Sequence, residues 1–297
     1  MGFNEELVKY SNVKILFGEP MKKHTSFGVG GKTDSYIEVD SVFTLNEVLL
    51  LAKHYKIPFK IIGNGTNVLV SDKGYKGLII RLNKLNSIIK KTNHIKVMAG
   101  ANVSSLISFS FLESLSGLEW LVGIPGTIGG AVVMNAGAFG HSISDRIVSV
   151  EALVDGKIKR LNKNDCKFGY RSSRFLKNKE IVLSATFCLL DGDKEFVLDR
   201  IKGYKELRQK VQPTGRSCGS VFKNPLGEKA GSLIERSGLK GYKIGGARVS
   251  FKHANFIIAE GKTNASDIAS LIAHVKEKVK GQFGIELEEE LEYIGDF

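Results

Sequence analysis

The 297-residue sequence is poor in cysteine: Cys166, Cys188 and Cys218 are odd in number and far apart. That pattern argues against a disulfide framework and for a reducing compartment. No apolar run approaches the roughly 20 residues needed to span a membrane. The opening MGFNEELVKYSN has no apolar signal core, and Glu6 stands where a myristoylation signal expects serine or threonine. A cytoplasmic enzyme is the expectation. The histidines form no HxxxH or HExxH pair, so no metal site is expected.

Three nucleotide or nucleophile signatures are also missing. GGKT at 30–33 and GKT at 261–263 end like a P-loop, but Ser26 and Phe256 stand where its first glycine belongs. GRSCG at 215–219 fits the GxSxG of a nucleophile elbow. That elbow needs a strand before it and a helix after it, whereas Pro213 precedes and SVF follows. No GxGxxG follows a strand with an acidic residue about 20 positions on, which sets aside a Rossmann nicotinamide site.

Positive charge is in excess, at a formal +12. Such a balance suits nucleic acid or anionic small molecules. The lysines scatter along the whole chain, and no basic stretch is interleaved with stacking aromatics. A solvated basic surface, or a cavity that collects anions, accounts for them better than a nucleic-acid-binding protein does.

The periodicity alternates strand, helix and strand over 35–82, through SYIEVD, TLNEVLLLAKHY, PFKII and GLIIRL. HIKVMAG reads as a strand and NVSSLISFSFLESLS as a helix. Asp155-Gly156 predicts a hairpin in VSVEALVDGKIKRL, and EIVLSATFCLL is a further strand. DKEFVLDRIKGYKELRQKV predicts a long charged helix ended by Pro213. A short helix follows at KAGSLIERSG and a strand at ANFIIAE. The helix at ASDIASLIAHVKEKVKGQFG has Asn264 or Ser266 as its cap and Gly284 just past its end. LEEELEYIG predicts a last strand. The whole predicts an α+β protein with a nucleotide-binding part over 1–195 and a separate domain over 196–297.

Two loops carry the functional signal. In IIGNGTNVLVSD, Gly63 and Gly65 let the backbone turn, while Asn64, Thr66 and Asn67 add polar contacts. Successive N–H groups in such a turn form an anion site suited to a pyrophosphate, though such turns also simply connect strands. The second loop is GIPGTIGGAVVMNAGAFG, residues 123–140. It surrenders side chains at Gly123, Gly126, Gly129, Gly130, Gly137 and Gly140, so the backbone must either turn tightly or approach something closely.

Several further motifs lie in order along the chain: HTSFGVGGKTDSYIEV, GLEWLVGIPGTIGG, FGYRSSRF, GSVFKNP, AGSLIERSGLKG, SFKHANFII and the LEEELEYIG ending. With the two loops, they resemble the UDP-N-acetylenolpyruvoylglucosamine reductase family, type II subclass, over nearly the whole chain. The resemblance implies a vanillyl-alcohol-oxidase-type (PCMH-type) FAD-binding fold in two subdomains, about 1–85 and 86–195. A C-terminal α+β substrate-binding domain over 196–297 would follow. It also implies non-covalent FAD and NADPH as co-substrate. The acceptor would be a UDP-sugar enolpyruvyl ether, in peptidoglycan precursor synthesis. A monomer without nucleic-acid or membrane partners is expected. An FAD-dependent oxidase of the same fold is the alternative, but it would need oxygen access and often a covalent flavin link, and no oxidase-type attachment histidine is visible.

By the same resemblance, Gly63, Asn64, Gly65, Thr66 and Asn67 hold the FAD pyrophosphate. Gly123, Ile124, Pro125, Gly126, Thr127 and Gly130 line the cofactor, as do Asn135, Gly137 and Ala138. Arg171 matches the carboxylate-binding arginine, Ser220 the proton donor and Glu290 the catalytic glutamate. Tyr170, Lys223 and Asn224 are substrate-side candidates, and Arg208 or Arg216 is a candidate for the diphosphate. Alternation in IELEEELEY places Glu289, not Glu290, on the apolar face, so by pattern alone Glu289 is the buried carboxylate. The family departs here at Gly28, where a longer side chain is frequent, and at Ala259, where asparagine is common.

Overall fold

The computed structural model describes residues 2–10 and 13–297; Met1, Ser11 and Asn12, part of the opening segment read above, lie outside the described residues. The chain forms two compact units that interleave in sequence. The first takes the chain up to Leu16, then Tyr36–Gly63 and Leu78–Arg208; the second takes Phe17–Ser35, Asn64–Gly77 and Gln209–Phe297. Each has its own apolar core. The single break expected from the sequence lies near 195. Here the helix Lys194–Val211 runs through that point, and its buried residues Val197 and Arg208 belong to the first unit. Segments 17–35 and 64–77 belong to the second because Phe27, Val29 and Leu69 pack in its core.

In the first unit, Ser41 starts the helix Val42–His54 by accepting the Thr44 N–H at 3.0 Å. That helix connects two strands of a four-stranded sheet, to which the first unit contributes, in order, residues 14–16, 36–38, 78–81 and Phe59–Ile62. The last two pair in parallel, Phe59 opposite Leu78. A five-stranded antiparallel sheet runs in the order Lys157–Asn162, Ile147–Val154, Ile181–Cys188, His94–Met98, Ile88–Lys91. Its hairpin turns at Asp155 (φ 52°) and Gly156 (φ 74°), as the Asp-Gly pair predicts.

In the second unit, Lys243–Ile244, Ala247–Val249 and Ile257–Ala259 form a small antiparallel sheet. The helix Ala265–Phe283 buries Ile268, Leu271, Ile272, Val275 and Val279, the spacing of one helical face, and stops at left-handed Gly284. Asn264 occupies its N-cap, and the Asn264 N–H donates to Asp267 at 3.0 Å. The next two N–H groups, from Ala265 and Ser266, donate to the two carboxylate oxygens of Asp72 at 2.8 and 2.9 Å. The predicted last strand is shorter than its alternation suggested. Only Glu292–Ile294 is a strand, parallel to Val68–Val70, because the residues just before it pair with a different segment. Among the described residues, no helix is long and apolar enough to cross a membrane.

Asp72 is the long-range support of the longest helix in this unit, and a carboxylate at a helix N-terminus also meets the positive end of its dipole. Asp72→Ala is expected to lose about 1–2 kcal/mol of stability in urea denaturation, and Asp72→Asn less. An unchanged midpoint would show that Asn264 alone suffices to start the helix.

Candidate active site

The 123–140 segment folds as a loop, the short helix Ile128–Val133, and a tight hairpin pairing Gly137–Ala138 with His141–Ser142. Gly123 has φ 78°. A side chain there would meet Arg208 Cδ at 2.9 Å. Arg208 is buried and donates from Nε to the Val122 carbonyl at 2.6 Å and from Nη2 to the Trp120 carbonyl at 3.1 Å. Burial pulls its pKa down. Arg208 therefore fastens the loop that leads into Ile124, Pro125 and Gly126. Thr127 caps the short helix, and its Oγ1 lies 2.5 Å from where a Gly63 side chain would begin. Gly63 and Thr127, one from each glycine-rich loop, thus touch within the first unit.

The glycines of the helix have different reasons to be there. A side chain at Gly129 would stand 2.9 Å from Ala99 Cβ, so packing alone requires glycine. At Gly130 the nearest atom is Thr127 Oγ1 at 3.7 Å, and the position is exposed. Alanine in a helix is favoured over glycine by roughly 1 kcal/mol, so among the described residues no neighbour favours glycine there. A surface kept smooth against its own helix propensity fits a bound cofactor lying along it.

The turn Gly169–Ser172 presents Tyr170 and Arg171 at its apex. Gly169 and Ser172 exchange backbone bonds at 2.9 and 3.2 Å. Arg171 takes the left-handed conformation, φ 48°, which costs a non-glycine residue of order 1 kcal/mol and persists only where the surroundings enforce it. Three bonds from the glycine-rich segment do so. Ser173 Oγ donates to the Val133 carbonyl at 2.6 Å, Asn135 Nδ2 to the Gly169 carbonyl at 2.8 Å, and Arg171 Nη2 to the Gly137 carbonyl at 2.8 Å. The Arg171 guanidinium also lies 5.3 Å from the Tyr170 ring centre.

In the second unit, Asn64, Gly65, Thr66 and Asn67 form the turn into the strand Val68–Val70. Gly65 has φ 63°, and a side chain there would fall onto the His24 carbonyl. Asn67 Nδ2 donates to the Glu290 carbonyl at 2.9 Å, and the Glu292 N–H donates to the Asn67 carbonyl at 3.0 Å. Ser220 and Glu290 lie on neighbouring antiparallel segments. Phe222 is opposite Glu289, the Glu290 N–H donates to the Val221 carbonyl at 2.7 Å, and the Lys223 N–H to the Glu288 carbonyl at 2.9 Å. Burial, and then the Glu290 charge, push the Cys218 thiol well above its usual pKa, which leaves it protonated.

Glu289 and Glu290 are both half-buried, and Lys276 of the long helix donates to both Glu289 oxygens at 2.8 and 2.9 Å. Lys223 forms an ion pair with Glu288. Asn224 Oδ1 accepts the Ala230 N–H at 3.0 Å and so starts the helix Ala230–Arg236. Arg216 donates to the carbonyls of Ala259 at 3.2 Å and Gly261 at 2.7 Å, and lies over Gly28. Asn255, which the sequence reading passed over, is buried and grips Phe222 at both its N–H (2.9 Å) and carbonyl (2.8 Å). A lone amide inside the apolar run ANFIIAE was the available signal.

Residues 33–162 match an FAD binding domain, and residues 209–294 match the C-terminal domain of UDP-N-acetylenolpyruvoylglucosamine reductase. A protein named UDP-N-acetylenolpyruvoylglucosamine reductase from Listeria innocua is 41% identical over 295 residues, 99% of each chain. One of the same name from Streptococcus suis is 42% identical over 291 residues, covering 97% of this chain and 96% of its own. The crystal structure of the reductase from Thermus caldophilus superposes with a TM-score of 0.81 at 33% identity, over 95% of this chain and 99% of that one. With such coverage by relatives in sequence and in structure, the chain belongs to the UDP-N-acetylenolpyruvoylglucosamine reductase family.

Proposed function

We propose that this chain is an NADPH-dependent flavoenzyme that reduces UDP-N-acetylglucosamine enolpyruvate to UDP-N-acetylmuramate for peptidoglycan synthesis. It acts as a cytoplasmic monomer without a nucleic-acid partner. Family membership supplies the substrate and cofactor classes. The observation that carries the reading is Arg171, held in a left-handed turn with its guanidinium on the Gly137 carbonyl of the glycine-rich segment. A fixed cation on the segment that offers a smooth face to a cofactor suits a carboxylate that must meet that cofactor.

In this reading Gly63–Asn67 hold the FAD pyrophosphate, and the 123–138 segment lies along the rest of the cofactor without a covalent link. The chemistry FAD supplies when bound is hydride relay from NADPH to the β-carbon of the enolpyruvyl ether. Arg171 grips the carboxylate and offsets the negative charge that develops on it. Ser220 gives its hydroxyl proton to the α-carbon. A serine hydroxyl is a weak acid, so the transfer needs an ionisable neighbour, and Glu290 on the paired segment is assigned that part. Glu289, committed to Lys276, is not. Tyr170, Lys223 and Asn224 complete the substrate side, so that residues 1–195 hold the cofactor and lend Tyr170 and Arg171 to the substrate, while 196–297 bind the rest of the substrate.

Gly130→Ala separates cofactor from fold. The flavin-free protein is expected to be as stable as wild type or up to ~1 kcal/mol more so. FAD affinity, titrated by flavin fluorescence quenching, should fall at least ~5-fold from the added methyl group. Unchanged affinity would remove Gly130 from the cofactor surface.

Arg171→Ala is expected to lose about 100- to 1000-fold in turnover, the usual effect of deleting one preorganised electrostatic contact. Turnover within about threefold of wild type would exclude the assigned role.

Ser220→Ala is expected to slow only one half of the cycle. Stopped-flow absorbance should show near-normal bleaching of the flavin by NADPH. Return of colour on adding the enolpyruvyl substrate should be slowed about 100- to 10,000-fold. Equal slowing of both phases would mark Ser220 as a turn-shaping residue only.

A further inference from the structure

Asn135 belongs to the glycine-rich segment, yet its side chain is turned into the protein. It is buried, left-handed at φ 45°, and bonded at both ends of its amide. Oδ1 accepts the Ser144 N–H at 3.3 Å, and Nδ2 donates to the Gly169 carbonyl at 2.8 Å. Gly169 is the first residue of the turn whose third residue is Arg171. Of the three bonds that reach this turn from 133–137, those of Val133 and Gly137 use backbone carbonyls of the segment. Asn135 is the one that contributes a side chain from the segment itself, so its bond can be removed without touching the turn 169–173.

We infer that Asn135 is a positioning residue for Arg171, and that its amide holds the carboxylate-binding guanidinium in register with the glycine-rich segment. A left-handed arginine has several lower-energy backbone conformations to relax into. What prevents relaxation is that both ends of the turn are tied: Gly169 by Asn135 and Ser173 by Val133. Without the Asn135 bond Gly169 keeps its backbone bonds to Ser172 but loses its tie to the segment, so the turn can shift against the segment and carry the guanidinium away from the carboxylate. Misplacement of a reacting or binding group by about 1 Å can cost on the order of 100-fold in rate. The inference rests on the role assigned to Arg171 above.

Two variants test it in the flavin-loaded protein. Asn135→Gly keeps the left-handed backbone available and deletes both bonds. Asn135→Asp is isosteric, keeps the acceptor for Ser144 and deletes the donor to Gly169, so it remains informative should the glycine variant fold poorly. Each is combined with Arg171→Ala. Turnover is expected to drop about 10- to 100-fold in the single variants. In the Arg171→Ala background the same changes should cost less than about threefold, because the group they position is gone.

Equilibrium binding to the oxidised enzyme without NADPH gives a readout free of turnover. The dissociation constant for the enolpyruvyl substrate should rise about tenfold. That for UDP-N-acetylglucosamine, which lacks the carboxylate, should change less than about twofold. Equal weakening of both ligands, or equal rate losses with and without Arg171, would overturn the inference by showing a general loss of structure. Wild-type turnover in Asn135→Gly beside a slow Arg171→Ala would overturn it alone. Wild-type turnover in Arg171→Ala itself would instead defeat the assignment of Arg171, and this proposal with it.

Discussion

The constraint on which the first unit's site depends is an alternation. Residues 133, 135 and 137 each give one polar group to the turn 169–173, so a segment with few side chains still grips a second element at three points. A stretch rich in glycine is entropically costly to order. Here that cost is offset by bonds made through the segment's backbone and one amide. The smooth surface and the strained arginine are two faces of one local arrangement.

The second unit solves a similar problem with strand-like pairing. Asn255 holds Phe222 at both backbone groups, and the segment 221–223 then templates 288–290. Asn67 closes the set by binding the Glu290 carbonyl. Asparagine suits such places because its amide mimics a peptide group and satisfies backbone atoms that no regular sheet reaches. Buried polar groups of this kind stabilise only when fully paired, and both ends of Asn255 are.

What the sequence made legible was whatever depends on near neighbours. The Asp155-Gly156 hairpin, the Asn264 start and Gly284 stop of the long helix, and the two glycine-rich loops are all written in adjacent residues. Alternation in 285–293 singles out Glu289, but it could not show Lys276 waiting for it, because burial and partner are separate facts. The same limit hid Asp72 at a helix 193 residues away and the commitment of Asn224 to the Ala230 N–H. Among the glycines, composition identified the loops but not their purposes. Gly65 and Gly129 answer to neighbouring protein atoms, whereas Gly130 does not. Only coordinates separate those reasons.

The interleaving of the units bears on the order in which the chain can acquire structure. Val68–Val70 finds its parallel partner only in Glu292–Ile294, and Asp72 finds its helix only at Ala265. As the polypeptide leaves the ribosome, the segment 64–77 therefore waits through about two hundred residues of synthesis with its strand edge unpaired. Contacts of such long sequence separation form slowly, and exposed edges invite association in the meantime. The local elements of the first unit, complete once Arg208 has emerged, can fold during that interval, while the loop that begins at Asn64 acquires its final shape among the last events of biogenesis.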